Sequence, residues 1–238
     1  MPSVVELAAQ ATLSWQRIVN ILYPPRCGGC QAPGSWWCET CQAGVRYVTP
    51  PTCARCGRPD VPSGLCANCR VSPLTIESIR SLAVFDGQLR HAIHAFKYLR
   101  VAALADPLGD ALARFWLQTP IPADVIVPVP LHPRRQRERG YNQAELLAKR
   151  VSRAAGLPVR PGALRRTRAT AAQMSLGMAD RRTNVAGAFQ CAEATLRGAV
   201  VLLIDDVCTT GATLDACAAA LKSAGAAEVR GLTLARAI

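Results

Sequence analysis

Val201-Leu202-Leu203-Ile204-Asp205-Asp206-Val207-Cys208-Thr209-Thr210-Gly211-Ala212-Thr213 is the stretch that decides the fold. An apolar run ends in two adjacent carboxylates, and a short Thr/Gly loop leads into a helical pattern over residues 213–224 that stops at Gly225. Residues 199–204 are continuously apolar, as expected of a parallel strand covered on both faces. Ligands of open α/β sheets bind at the carboxyl ends of strands. There the loop offers backbone N–H groups, three hydroxyls and a helix N-terminus, a set that suits a phosphate. Gly211 permits close approach of the backbone. Adjacent carboxylates would repel a bare phosphate, so they face something else: sugar hydroxyls, which donate to carboxylates, with Mg²⁺ nearby. The constellation reads as a site for a ribose 5-phosphate. The plainer reading is a capped helix with two ordinary surface acids, but a cap needs only one such residue.

Around this stretch, strand-like and helical segments alternate. Residues 79–85 read as a strand and Asp86-Gly87 as a turn. Helices follow over 89–98 and 103–117, a short apolar strand over 124–129, a helix over 141–155, and a last strand over 228–235. This predicts an α/β domain over residues 73–238 with a mainly parallel sheet. Residues 4–22 place Leu7, Ala11, Trp15, Ile18 and Leu22 at helical spacing, and Pro24-Pro25 end the run. Residues 1–23 are therefore expected to form a packing helix, with attachment to a membrane surface as the alternative.

Between these regions, residues 24–72 hold four C-x-x-C pairs: Cys27/Cys30, Cys38/Cys41, Cys53/Cys56 and Cys66/Cys69. Such a turn lets two thiolates face one ion, and four thiolates in tetrahedral array select zinc. Two structural zinc sites are expected, one over residues 27–41 and one over 53–69. Sequential pairing closes shorter loops than crossed pairing, which favours it. A disulfide framework fits a secreted chain, and a redox C-x-x-C is the third option. A ribbon this small has little core, so the metal itself should stabilise it.

Composition narrows the partners. Lys and Arg outnumber Asp and Glu by 28 to 16, a formal charge of +12, which points to phosphates, nucleic acid or an acidic protein. Residues 131–182 hold 13 of the basic residues against three acids, more than surface solvation explains. No apolar run reaches the roughly 20 residues of a membrane helix. Glu6 and Gln10 interrupt the N-terminal apolar stretch, so a signal peptide is not expected.

The stretch 201–213 resembles the motif with which type I phosphoribosyltransferases bind phosphoribosyl pyrophosphate (PRPP). The resemblance implies that Asp205 and Asp206 hold the ribose hydroxyls, and that Mg²⁺ accompanies the ligand. Cys208, Thr209, Thr210, Gly211, Ala212 and Thr213 would then form the 5′-phosphate loop. Residues 124–135, 139–148, 165–173 and 181–185, together with the cysteine-rich region, resemble the ComF family, also called GntX-like. That resemblance runs from about residue 22 to the end. It implies a double zinc ribbon before a transferase-like domain, a link to natural competence and use of external DNA, and a cytoplasmic location. It also implies that the turn carrying Pro128, Val129, Pro130, Arg134 and Arg135 cradles pyrophosphate, for which arginines supply charge and bidentate geometry. A solvated arginine face is the alternative. Residues 165–176 correspond to the loop that closes over the site in the transferases, with Arg168 and Gln173 as contacts made on closure, against the alternative of an irregular surface loop.

Cys208 lies beside a helix N-terminus, a setting that lowers a thiol pKa, unless it is simply a small loop side chain. Cys191 and Cys217 read as structural. His91 and His94 read as packing or surface residues, whereas Lys97 reaches a phosphate if its helix lines the site. Three functions fit: a phosphoribosyltransferase; a single-stranded DNA-binding protein on that fold; and a docking protein whose ribbon meets competence-machinery proteins. Fold alone does not choose among them. The acid pair and loop favour PRPP. The arginine surplus favours nucleic acid, although base-stacking aromatics are few beyond Trp36-Trp37.

Overall fold

The computed structural model describes residues 24–62, 64–168, 187–192 and 196–238. The helix expected over residues 4–22, and Gln173, Arg181, Arg182 and Asn184, lie outside them. In chain order the elements are α1 (Glu39–Ala43), α2 (Ala67–Val71), β1 (Ser78–Val84), α3 (Gly87–Tyr98), α4 (Ala105–Gln118), β2 (Val125–Pro128) and α5 (Pro133–Arg139). Then come α6 (Gln143–Ala155), β3 (Leu164–Arg166), β4 (Phe189–Cys191), β5 (Val200–Cys208), α7 (Ala212–Ser223) and β6 (Glu228–Arg236).

Four strands form a wholly parallel sheet in the order β1-β6-β5-β2. Alternation along β5 divides the core. Leu202 and Ile204 pack with Ile93, Leu108 and Leu147 of α3, α4 and α6. Val201 and Leu203 pack on the other face with Leu214, Cys217 and Leu221 of α7. Burying both faces explains the continuous apolar run. The strand does not stop at Ile204, where the apolar run ends. It continues through both aspartates to Cys208, because β6 supplies partners: Asp205 registers with Thr233, and Cys208 with Arg236.

Beyond β2, the chain passes through α6 to Val159, which bridges Ile126 in parallel at the outer edge. Beyond β5, it passes through α7 to β6 on the opposite side. The two connections leave in opposite directions, so a crevice opens at the carboxyl ends of β2 and β5, the topological switch point. A small antiparallel pair, β3-β4, lies beside α7.

The two cysteine ribbons are built alike. Each opens with an isolated antiparallel bridge of one residue pair, Arg26 with Pro33 and Thr52 with Pro59, and each ends in a short helix entered from a cysteine, Cys38 or Cys66. Between them, residues 46–48 run antiparallel along the free edge of β1: Val48 N–H donates to the Leu82 carbonyl, and Val84 N–H to that of Arg46. The sheet edge is thereby covered. One ribbon lies on each face. Cys27, Trp37 and Cys41 join the α3/α4/α6 cluster, and Cys53, Cys56, Cys66 and Cys69 join the α7 cluster.

Candidate functional site

Four segments meet at the crevice: the end of β5, the loop into α7, the turn after β2, and the C-terminal turn of α3. Asp205 and Asp206 lie in the strand. Asp206 is 6% exposed, and Lys97 Nζ lies 2.6 Å from its Oδ1. Asp205 is half-buried, and its Oδ1 accepts from the Asp206 N–H at 2.8 Å. Burial, then the neighbouring Asp206, push the Asp205 carboxyl up to about 7, against the pull of Lys97 and Arg166. The pair thus holds one carboxylate matched to a cation and one poised for a hydroxyl or a cation.

Beyond the strand, Thr209 and Thr210 are half-buried, and Thr210 Oγ1 accepts from the Ala212 N–H at 3.3 Å. Gly211 takes φ +85° at the entry to α7, and a side chain there would lie 3.0 Å from Ile79 Cδ1. Left-handed backbone and close packing both require glycine. Thr213 is in the first turn of the helix, on the same loop. Cys208 departs from its expected setting. It is the last residue of β5, 2% exposed, and its Sγ receives Arg236 Nη1 at 3.1 Å. Burial pushes its thiol up to about 11, so desolvation outweighs the helix terminus.

Residues 128–132 form the turn next to this loop. Val129 N–H donates to the Ile204 carbonyl, which ties Pro128, Val129 and Pro130 to β5. Asn142, 7% exposed, holds the turn from the other side: its Nδ2 donates to the Val129 carbonyl at 3.0 Å while its Oδ1 caps α6 through Ala144 N–H. Arg134 and Arg135 sit on α5, a short helix opened by Pro133 and closed by Gly140 at φ +86°. The Arg134 guanidinium lies on Glu138 at 2.8 Å, on the solvent face. Arg135 is close enough to Arg166 for its charge to act there.

The motif at residues 139–143 has a structural task. Tyr141 Oη and Gln143 Nε2 both donate to the Phe96 carbonyl, and the Tyr141 ring stacks on Phe96 at 5.6 Å. These bonds hold the end of α3, and so aim Lys97 at Asp206. His91 and His94 are both exposed, His94 against Tyr98 and His91 by Gln88, as expected of packing or surface residues.

Arg166 is the site residue that sequence reading missed. Residues 165 and 166 belong to β3 rather than to a loop, and Arg166 lies over the Phe189 ring at 5.4 Å. Burial lowers its pKa first, then the charge of Arg135, while Cys217 and Asp205 act against this. Cys217 is fully buried, with its thiol pushed well up by burial and then by Asp205. Arg168 is exposed.

The cysteines gather as Cys27, Cys30, Cys38 and Cys41, and as Cys53, Cys56, Cys66 and Cys69, the sulfurs of each set lying within 4.8 Å of one another. The Sγ atoms of Cys30 and Cys38 are 3.6 Å apart, and those of Cys56 and Cys66 are 3.8 Å apart. Zn–S bonds of about 2.3 Å in a tetrahedron require about 3.8 Å between sulfurs, so the sets fit zinc. Pairing is sequential. Cys38 N–H points at Cys27 Sγ, and Cys66 N–H at Cys53 Sγ. Burial opposes ionisation of Cys27 and Cys53, yet surrounding N–H groups bring both thiols down to about 6. Burial, with neighbouring sulfurs, pushes Cys41 and Cys69 up. A divalent cation resolves that mismatch by binding all four as thiolates.

A parallel α/β sheet with an acid pair and a Thr/Gly loop at its switch point, clasped by two four-cysteine ribbons, defines a double-zinc-ribbon protein with a phosphoribosyltransferase-like domain. Residues 18–70 match the double zinc ribbon domain, and residues 143–238 match the phosphoribosyl transferase domain. The DNA utilization protein YhgH of Escherichia coli O157:H7 is 34% identical over 218 residues, covering 87% of this chain and 95% of that one. The competence protein ComFC of Bacillus subtilis is 30% identical over 207 residues, covering 84% and 83%. A glutamine PRPP amidotransferase from B. subtilis superposes on 54% of this chain and 25% of its own, with TM-score 0.38 and 24% identity. The chain belongs to the ComF/YhgH family of competence and DNA-utilisation proteins. No helix among the described residues is long and apolar enough to cross a membrane.

Proposed function

We propose that the crevice between β2 and β5 binds phosphoribosyl pyrophosphate with Mg²⁺. The observation that carries this reading is the acid pair on β5, with Lys97 on Asp206, leading directly into the Thr209–Gly211 loop at the start of α7. The 5′-phosphate takes the N–H groups and hydroxyls of residues 209–213. Asp205 and Asp206 take the ribose hydroxyls, and the pyrophosphate lies toward Pro128, Val129 and Pro130, with Arg134, Arg135 and Arg166 within the same arginine-rich side. Catalysis, in this reading, displaces pyrophosphate from the sugar carbon by a base nitrogen. The N–C bond forms as the C–O bond breaks, pyrophosphate leaves with the electron pair, and the base loses a proton to solvent. The protein's part is to position the reactants and stabilise charge on the leaving group. Reduced zinc thiolates go with a cytoplasmic setting.

Calorimetry with PRPP and Mg²⁺ tests the site. Binding by the parent chain, and its loss by at least about 100-fold in Asp205→Asn/Asp206→Asn, is expected from losing charged hydrogen bonds of about 1.5–3 kcal/mol each. Unchanged affinity in the double variant overturns the assignment. Pyrophosphate release with a panel of bases then decides between transferase and binding protein.

A second reading, single-stranded DNA binding, is favoured by α5, where Arg134, Arg135, Arg137 and Arg139 lie on a helix with no buried residue. The relatives' names point the same way. Affinity for single-stranded DNA that falls steeply with salt supports it, and absent or salt-insensitive binding removes it.

A further inference from the structure

Arg236, the last residue of β6, is 4% exposed. A guanidinium at that depth is costly unless matched. Its partners lie on two sides. Nη1 donates to the Cys56 carbonyl and to Cys208 Sγ at 3.1 Å, and Nη2 donates to Cys56 Sγ at 3.4 Å. Cys56 belongs to the second cysteine cluster, and Cys208 immediately precedes the anion loop. Four thiolates around one divalent cation leave a cluster anionic, so the loaded ribbon supplies the counter-charge of Arg236.

Independent contacts tie the same ribbon to the far end of the loop. Arg55 Nη1 donates to the carbonyls of Leu74 and Ile76, at 2.9 and 2.8 Å. The N–H groups of Thr75 and Ile76 donate to Asp215 Oδ1, in the first turn of α7. Between these ties lies a cavity of about 300 Å³, lined by Cys56, Leu74, Thr209, Thr210 and Arg236 among others. The underside of the loop is therefore not packed solid, and Arg236 is the polar link across it. The first ribbon serves another part: Gly28 packs against Leu104 and Ala92, under α3.

We infer that Arg236 is a positioning residue for the anion loop, and that the second ribbon sets the loop's affinity for a sugar phosphate through it. This rests on the reading of residues 209–213 as a phosphate loop. Loss of the ribbon's charge, or of Arg236, leaves Thr209 and Thr210 over an open cavity without the contact that steadies Cys208 just before them.

The test compares Arg236→Met and Arg236→Lys with the parent in the full chain. Three readouts are zinc content, calorimetric affinity for ribose 5-phosphate and separately for pyrophosphate with Mg²⁺, and amide exchange across residues 207–215. The expected result is two zinc ions per chain in every variant and unchanged pyrophosphate affinity. Ribose 5-phosphate weakens at least tenfold in Arg236→Met and less in Arg236→Lys, which keeps the charge but not the fork. Exchange at residues 209–213 speeds up at least tenfold. Unchanged ribose 5-phosphate affinity, or equal weakening of both ligands, overturns the inference. A parent that binds neither ligand sinks the phosphate reading itself; exchange then decides, with faster exchange supporting the link and unchanged exchange overturning it. Where Arg236→Met fails to fold, Arg236→Lys carries the same comparison.

Discussion

Successive residues of a strand point to opposite faces, so Asp205 and Asp206 leave β5 on different sides. Asp206 turns toward α3 and meets Lys97; Asp205 turns toward α7, Cys217 and Arg166. Burial followed by the Asp206 charge pushes Asp205 up to about 7, which has a consequence for stability. Below about pH 4, the carboxyl is protonated in both folded and unfolded chains and contributes no difference. Between there and about pH 7, the folded chain holds a proton that the unfolded chain has lost, so stability falls as pH rises; above about 7 the full cost remains. Asp205→Asn removes that cost. The variant should match the parent near pH 4 and exceed it at pH 8. A rise of about three pKa units corresponds to about 4 kcal/mol, which solvent screening of this half-buried group reduces to about 1–2 kcal/mol; PRPP affinity should be lost. Denaturant melts at the two pH values measure it, and a variant less stable than the parent at pH 8 contradicts the charge balance described.

Elements show what sequence can and cannot carry. The buried strand, the helix after it and the loop between them were legible because a two-faced parallel strand and an N-terminal loop each leave a local mark: residues 199–204 apolar, Gly211 between Thr210 and Ala212. The continuation of β5 through Asp205 to Cys208 was not, since two aspartates are poor strand formers and only the register with Thr233 to Arg236 holds them. The β3-β4 pair joins Leu164 to Cys191, a pairing with no local signature, and so Arg166 escaped notice. Lys97 was legible as a cation near the site, but its partner was not, because Asp206 is remote in sequence. At Gly211, local mark and packing agree, which makes the element testable. Gly211→Ala forces a left-handed backbone on a residue with a Cβ and sets that carbon 3.0 Å from Ile79 Cδ1. The expected loss is about 1–2 kcal/mol of stability, together with PRPP affinity, read by thermal melts and calorimetry. A variant that melts and binds like the parent contradicts the loop geometry.

Across the whole molecule, the ribbons are parts of the core rather than an appendage. Each face of the sheet is completed by one of them, and the chain between them closes the edge of β1. Gly57 lies so close to the Ile79 carbonyl that a Cβ would reach 2.4 Å, which fixes the second ribbon directly on β1. Zinc is therefore expected to stabilise the sheet as well as the ribbons. If chelation opens both ribbons, side chains such as Trp37, Leu74 and Ile76 lose cover. At about 1.5–3 kcal/mol each, that is roughly 5 kcal/mol. For a chain of this size, such a loss lowers the melting temperature by about 10–20 °C. Scanning calorimetry of the zinc-loaded chain should show one transition, because ribbon and sheet share their buried residues, and excess chelator should shift that whole transition downward. Separate transitions for ribbon and sheet, with the sheet transition unmoved by chelator, would mean that the clasp contributes nothing to the domain it covers. That result would also remove the physical basis for any link between the second ribbon and the anion loop.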